Sequence, residues 1–448
     1  MAFLNGNRTS ISVAIFLASL LLFIPFLGSS HLFDWDEVNF AEAAREMLVT
    51  GEYSYVQINF QPFWEKPPLF IWMQALSMSV FGVSEFAARF PNAICGAMTL
   101  VVLFNIGSKL VSNRFGLLWV LVYAGSLLPQ FYFRSGIIDP WFNLFIFLGI
   151  HQLIIATDGE ILSRKWLSIS ALLIGLAVMT KGPTAVGLVG ICAAVYFITS
   201  FKKHKWKVTD AIVYLSVVLF VGFSWFVIEV ARGHGYVIQE AIDYHIRLFS
   251  ESEAGHEQPF YYHPIVLLVG CFPMSLFLIF SWTVKSESPS EITHYKKWMT
   301  ILFWVVLVVF SIVKTKIVHY SSLTYFPMSF LVAWFVHYTV EKRIVFKFWH
   351  QATLILFVFL LGTGFVLLGM LDMIKEPLLE LLKNDKFALG IFGQQIPDGR
   401  FDFLIGVFFL IGGIGAVIFI NKTKSAILSL FGVSLVTVTL LSIVIVPK

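Results

Sequence analysis

Two adjacent carboxylates, Asp36 and Glu37, follow the first apolar run of the chain. Acids in this position favour a helix N-terminus, where the ionised form meets the positive end of the helix dipole. They can also supply a catalytic base at the membrane–water boundary. The two uses pull against each other, because a helix N-terminus that keeps Asp36 ionised also makes it a weak base. A weak base suits a reaction whose leaving group departs readily and demands little early proton abstraction. Downstream stands Trp64-Glu65-Lys66-Pro67-Pro68. The two prolines fix an extended backbone and give Lys66 a defined direction. A lysine there suits a phosphate, and equally a snorkelling side chain beside a turn.

Further polar groups punctuate the apolar sequence. Arg134 and Asp139 flank the predicted outer mouth between two spans, where charges either anchor helices or serve a site. Lys181-Gly182-Pro183 reads as a tight turn. The stretch 231–263 mixes His234, Asp243, His245, Arg247, Glu251, Glu253, His256, Glu257 and His263. This set could hold a divalent cation but lacks the HExxH type of spacing. Lys314-Thr315-Lys316 and His319-Tyr320 place basic residues on an outer loop, against the usual membrane bias, as an anionic ligand would require.

The elements that must position these residues are membrane helices. The chain has 448 residues, 58% hydrophobic and 13% charged, with a mean hydropathy of +0.82. A soluble domain carries about twice that charged fraction. The 47 Phe, 13 Trp and 14 Tyr suit lipid-facing surfaces and interfacial belts. A net charge of +4 is spread in short basic clusters between apolar runs, so membrane topology explains it and nucleic acid does not. Cys95, Cys192 and Cys271 lie in apolar stretches and read as small buried hydrophobes.

Thirteen apolar segments fall near 10–28, 90–108, 115–133, 140–157, 166–179, 184–200, 210–230, 264–283, 298–313, 320–339, 350–371, 402–420 and 426–446. The segments 166–179 and 298–313 are short for a span, which needs about 20 residues. Residues 11–28 read as an uncleaved first helix rather than a signal peptide. With the N-terminus inside, every short inner loop holds a basic cluster: Lys109/Arg114, Arg164/Lys165, Lys202–Lys207, Lys296/Lys297, Lys342/Arg343/Lys347 and Lys422/Lys424. The C-terminus then lies outside, as do three longer segments, about 29–89, 231–263 and 372–401. The expected architecture is one all-α integral membrane domain over 1–448, with amphipathic interfacial helices in the first outer loop. Val38–Val49 should put Phe40, Ala43, Ala44, Met47 and Leu48 on one face, with Glu42, Arg45 and Glu46 on the other. Asp34 and Glu37 resemble a capping box, Gly51 should stop the helix, and a second short helix is expected over 69–80.

The run Asp36-Glu37-Val38-Asn39-Phe40-Ala41-Glu42-Ala43-Ala44-Arg45-Glu46-Met47 resembles the signature of the GT-C glycosyltransferases, in particular the bacterial aminoarabinose transferase and protein O-mannosyltransferase-like family. Glu65-Lys66-Pro67-Pro68-Leu69 with Trp72, then Phe81-Gly82-Val83-Ser84-Glu85-Phe86-Ala87-Ala88-Arg89, resembles the continuation of that signature. Lys181-Gly182-Pro183 and Lys316, Tyr320 and Pro327 are similar to later family features. Two positions depart: Asn39 stands where aminoarabinose transferases commonly carry Arg, and Phe40 where Tyr is usual. These departures bear on the sugar or acceptor more than on the reaction class.

The resemblance implies thirteen spans, N-in and C-out, in a bacterial inner membrane. It implies an inverting transfer from a polyprenyl-phosphate-linked sugar to a glycolipid, polysaccharide or protein acceptor at the periplasmic face. Asp36 would act as base or acceptor-orienting carboxylate, with Glu37 and Asp139 as further catalytic candidates. Lys66, Arg247, Lys316 and Tyr320 would hold the donor phosphate, and Glu65 and His256 resemble ligands of a divalent metal. No nucleotide cofactor is expected, as the sequence shows neither a Gly-rich phosphate loop nor an inner DxD. A transporter or flippase of lipid-linked sugars is the competing class. It calls for ionisable residues near helix centres, whereas the polar groups here cluster at outer ends.

Overall fold

The computed structural model describes residues 7–33, 35–159, 161–200, 207–250, 258–284, 288–381, 399 and 401–446, and these are almost entirely helical. The chain opens with α1 (Arg8–Phe23), then α2 (Trp35–Thr50), a ribbon of β1 (Gln57–Ile58) and β2 (Gln61–Pro62), and α3 (Leu69–Phe81). The bundle continues with α4 (Glu85–Leu110), α5 (Asn113–Ala124), α6 (Leu127–Phe131), α7 (Asp139–Ala156), α8 (Arg164–Lys181) and α9 (Thr184–Thr199). Next come α10 (Val208–Gly222), α11 (Ser224–Ala231), α12 (Tyr236–Ser250), α13 (Tyr262–Gly270), α14 (Met274–Ser281) and α15 (Ser290–Ile312). A 3₁₀ segment, Val318–Thr324, leads into α16 (Tyr325–Lys342), followed by α17 (Phe348–Leu368), α18 (Leu371–Leu381), α19 (Phe403–Ile418) and α20 (Ala426–Leu440).

Each of the thirteen apolar segments is covered by one of these helices or by a bent pair. Among the described residues six helices are long and apolar enough to cross a bilayer, or up to nine if each bent pair is one crossing. The pairs break at angles of 90° (α5 with α6), 53° (α10 with α11) and 110° (α13 with α14). The two segments that looked too short belong to longer helices. α8 and α15 extend past their apolar cores into polar ends, Arg164-Lys165 and Ser290–Lys297, which hydropathy alone leaves out. The three cysteines are free and buried, as their apolar surroundings required.

The segment between α1 and α4 folds as a small layer over the bundle. α2 carries Asp36 and Glu37 in its first turn, and Gly51 ends it at φ 74°, returning its N–H to the Met47 carbonyl at 3.0 Å. Phe40, Ala43, Ala44 and Met47 are buried as the spacing requires, and Leu48 is half-buried. Glu46 breaks the pattern. It was expected on the polar face, yet it is fully buried and accepts the Phe60 N–H at 2.9 Å, inside the turn of the ribbon. Asn59 and Phe60 there adopt φ of 53° and 57°, the left-handed pair of a tight hairpin. α3 begins right after Pro67-Pro68, and Ala44, Trp64, Ile71, Trp225 and Val237 join this layer to α11 and α12 in one apolar cluster.

Charged side chains fasten this layer to the bundle. The Arg134 guanidinium donates to the carbonyls of Leu22, Phe23 and Pro25 at 3.1, 3.2 and 2.6 Å, closing the C-terminal end of α1. Arg89 on α4 donates Nε and Nη2 to Glu37 at 2.7 and 3.0 Å. It also holds the carbonyls of Leu27, Ser30 and His31 at 3.0, 2.8 and 2.9 Å. Glu37 in turn accepts the N–H groups of Phe33 at 3.1 Å and Gly136 at 2.6 Å. Both side chains are buried. A Cβ on Gly136 would stand 3.0 Å from the Glu37 side chain and 3.3 Å from Gln74, so a larger residue would press both side chains out of their present places.

Removing one partner of a buried pair strands the other charge, at a cost of about 3–5 kcal/mol. Glu37→Gln and Arg89→Ala should therefore each lower the thermal unfolding midpoint of the purified protein well below wild type. Arg89→Lys keeps the charge without the fork and should fall between. Unchanged midpoints would show that the pair does not hold the layer.

Candidate active site

Four separate segments converge where the outer layer meets the bundle. α2 brings Asp36 in its first turn. α7 begins at Asp139, with Pro140 in the first turn, where an acid meets the helix dipole and proline costs no hydrogen bond. α8 ends at Lys181, with Gly182 at φ 86° stopping the helix so that the lysine stands at its C-terminus. The 3₁₀ segment before α16 brings His319.

These groups form a compact charge array. Lys181 Nζ lies 2.7 Å from Asp139 Oδ1. His319 Nε2 stands 3.5 Å from Asp36 Oδ2 and 3.6 Å from Asp139 Oδ2, in reach of charge attraction and too long for a strong hydrogen bond. Asp139 and His319 are buried, while the Asp36 side chain keeps 21% of its surface exposed, so it is the carboxylate of the pair that a substrate can reach. Burial alone would raise the Asp36 pKa. The His319 contact and the ammonium groups of Lys66 and Lys181 outweigh that and hold it well below the usual carboxylate range. Asp36 is therefore ionised at neutral and mildly acidic pH.

Beside the array lies a cavity of about 330 Å³, lined by Lys66, Asp139, Lys181, Tyr244 and Tyr320 at its polar end. The rest of the lining is mostly apolar, with Leu188, Val309, Phe310 and Val313 contributed by α9, α15 and the turn that follows, and Asn143 and Thr184 as further polar members. Lys66 is buried, donates to the Tyr244 hydroxyl of α12, and sits 4.1 Å from that ring centre. Lys181 faces the Tyr320 ring at 4.7 Å. Two ammonium groups and two tyrosines in a mostly apolar lining suit an anionic group joined to hydrocarbon.

The structure brings Asp36, Asp139, Lys66 and Tyr320 together, as the sequence reading grouped them. It separates others. Glu37 was a catalytic candidate; its carboxylate is buried, paired with Arg89 and accepting the Gly136 and Phe33 N–H groups. Asp34 lies outside the described residues, so its capping box stays with the sequence. Lys316 was a phosphate candidate, but it is buried, spends its ammonium on the Val313 carbonyl at 2.7 Å and does not line the cavity. Arg247 is on the exposed side of α12, the helix that sends Tyr244 to Lys66. Glu65 is half-buried next to Lys66, and His256 lies outside the described residues. Among the described residues no group of three or more His, Cys, Asp or Glu is arranged to hold a metal ion. Two residues of the array, Lys181 and His319, were not singled out as catalytic. The signals were present: a lysine before Gly-Pro, and a His-Tyr pair on a basic outer loop.

The sequence and fold have known counterparts. Residues 65–228 match the family described as dolichyl-phosphate-mannose-protein mannosyltransferase. An undecaprenyl phosphate-alpha-4-amino-4-deoxy-L-arabinose arabinosyl transferase of Pectobacterium carotovorum is 26% identical over 331 residues, which are 72% of this chain and 58% of that relative. An uncharacterized protein of Aquifex aeolicus is 28% identical over 329 residues, 72% of this chain and 73% of that protein. The crystal structure of ArnT from Cupriavidus metallidurans in the apo state covers 97% of this chain and 75% of its own, with a TM-score of 0.71 at 16% identity. The same enzyme bound to undecaprenyl phosphate gives 0.68. The chain therefore has the all-α membrane fold of the GT-C glycosyltransferases. Within that class its similarity runs to the aminoarabinose transferases and to the protein mannosyltransferase family. It aligns with little more than half the length of the Pectobacterium transferase.

The Lys181–Asp139 pair can be tested alone. Lys181→Met should destabilise by about 3–5 kcal/mol by stranding a buried carboxylate. Adding Asp139→Asn should recover part of that loss, and a double-mutant cycle on unfolding midpoints reads the coupling. Strict additivity would show that the two charges do not support each other.

Proposed function

We propose that the chain is a membrane glycosyltransferase that moves a sugar from a polyprenyl-phosphate donor to an acceptor at the outer, periplasmic face of the bacterial inner membrane. The observation that carries this reading is an accessible ionised carboxylate, Asp36, held in the field of Lys66 and Lys181, two ammonium groups that line a mostly apolar cavity. The similarity to transferases acting on undecaprenyl-phosphate-linked sugars supports the same donor class.

In this reading the hydrocarbon tail of the donor lies along the apolar walls and its phosphate meets Lys66, which exchanges the Tyr244 hydroxyl for a phosphate oxygen. An acceptor oxygen beside Asp36 attacks the anomeric carbon from the side opposite the phosphate. The new carbon–oxygen bond forms as the bond to phosphate breaks, and the configuration inverts. The electron pair leaves with the polyprenyl phosphate, whose charge Lys66 stabilises. Asp36 orients the acceptor and takes its proton late, as a carboxylate of depressed pKa can when the leaving group is good. His319 and Lys181 hold the two carboxylates apart from the phosphate and in register. No particular observation favours the transporter reading.

Asp36→Asn should abolish transfer in membranes supplied with a polyprenyl-phosphate sugar, with the protein still folded but its unfolding midpoint lowered by loss of a carboxylate that His319, Lys66 and Lys181 stabilise. Because the Asp36 carboxyl titrates below the usual range, its ionised form persists as pH falls and is lost only under strongly acidic conditions. Wild type should then show no acid limb from this group between about pH 5 and 8. Lys66→Ala should instead raise the donor concentration needed for half-maximal rate. Full transfer by Asp36→Asn, or unchanged donor dependence in Lys66→Ala, sinks the corresponding role. Mass spectrometry of glycolipids and glycoproteins from cells with and without the gene identifies sugar and acceptor.

Topology gives an independent check. Reporter fusions after residues 51 and 66 should read as periplasmic, and fusions after 343 and 422 as cytoplasmic. The opposite pattern would overturn the assigned face of the reaction.

A further inference from the structure

The far end of the bundle holds a second built cavity. α16 starts directly after the segment carrying His319, and its 18 residues extend about 27 Å, close to the hydrocarbon thickness of a bilayer. Its C-terminal end thus lies at the membrane face opposite the reaction centre. There the turn after α16 and the turn between α19 and α20 enclose a cavity of about 400 Å³. Arg343, Lys422 and Lys424 line it with the Thr423 hydroxyl, while Val340 and Ile427 contribute an apolar floor. Among the described residues no acidic side chain lines it, and none of the three cations forms an ion pair.

The walls are held in place. Asn421 accepts the Phe346 N–H at 2.7 Å and donates to the Phe346 carbonyl at 2.8 Å, so one amide ties the two turns together. Arg343 ends α16 in the left-handed conformation at φ 52°, a position that glycine ordinarily takes. Ile344 N–H closes that turn on the Thr339 carbonyl at 3.1 Å. Val345, which lines the cavity, is exposed, as are Trp349 in the first turn of α17 and Phe419 at the end of α19, in the way of apolar and aromatic groups at the level of lipid headgroups.

We propose that this cavity binds the phosphate headgroup of an anionic membrane phospholipid in the leaflet facing away from the reaction centre. Three uncompensated cations around one concave surface attract a phosphate that carries net negative charge. They repel the ammonium of a zwitterionic headgroup. The apolar floor and rim select a phosphate joined to hydrocarbon over free phosphate, which has nothing to place there. This site is independent of the transfer reaction proposed above, and it holds or falls without it.

The test uses the full-length protein in detergent, delipidated and titrated with phosphatidylglycerol, phosphatidylcholine or inorganic phosphate, with bound lipid counted by native mass spectrometry. At roughly a fivefold affinity loss per neutralised cation, wild type should prefer phosphatidylglycerol over phosphatidylcholine by more than about tenfold, and R343Q/K422Q/K424Q should lose that preference. Arg343→Gly keeps the left-handed turn while removing one cation, and should weaken phosphatidylglycerol about fivefold even if the triple variant fails to fold. K109Q/R114Q removes a basic pair from the same membrane face without touching the cavity, and should keep the preference. Three results would each overturn the proposal: no lipid preference in wild type, an equal loss in K109Q/R114Q, or displacement of phosphatidylglycerol by stoichiometric inorganic phosphate.

Discussion

The buried Glu37–Arg89 pair is the constraint on which the outer layer depends. Arg89 is fixed in α4, and through one guanidinium it holds the end of the first connecting segment, at Leu27, Ser30 and His31, and the first turn of α2. Glu37 passes the restraint on to Gly136, three residues before Asp139. The two carboxylates of the crevice, from distant parts of the chain, are thus placed by one ion pair that touches neither. Such a pair is costly to desolvate and adds little net stability compared with apolar packing. What it supplies here is position, because a forked guanidinium and a carboxylate meet in few geometries.

Position matters because the crevice is a balance of charges at short range. Asp36 and Asp139 repel, and His319 lies between them while Lys181 neutralises Asp139 from the far side. Asp36 is left as the accessible member, ionised and flanked by cations. A stronger base could be had by burying the carboxylate among apolar groups. The arrangement seen here gives up basicity for a fixed negative charge beside a cationic pocket, a choice consistent with a phosphate that leaves without a strong push.

Much of this was legible in the sequence. The thirteen apolar segments foretold the helices because lipid enforces a composition that shows at the level of single residues. The Lys66-Pro67-Pro68 run and the Asp36-Glu37 pair pointed to the crevice because each combines a reactive group with a backbone constraint. Which member of the acidic pair reaches the site was not legible. Glu37 is taken by Arg89, and nothing local in the sequence links two residues so far apart. Glu46 was misread for a related reason. Helical periodicity assigns it to the polar face, but the ribbon that folds over α2 buries it and offers the Phe60 N–H in return. His319 and Lys181 gain their meaning only from the tertiary meeting of α7, α8 and the segment before α16.

α16 links His319, just ahead of its first turn, to Arg343, just past its last. A helix long and apolar enough to cross the bilayer, with ionisable groups at both ends, acts as a ruler across it. It cannot sink by one turn without drawing Arg343 out of reach of its own leaflet's water, nor rise without exposing apolar residues such as Val340. The depth of the crevice is therefore set from the opposite surface of the membrane, and bilayer thickness becomes a variable to which it is mechanically tied.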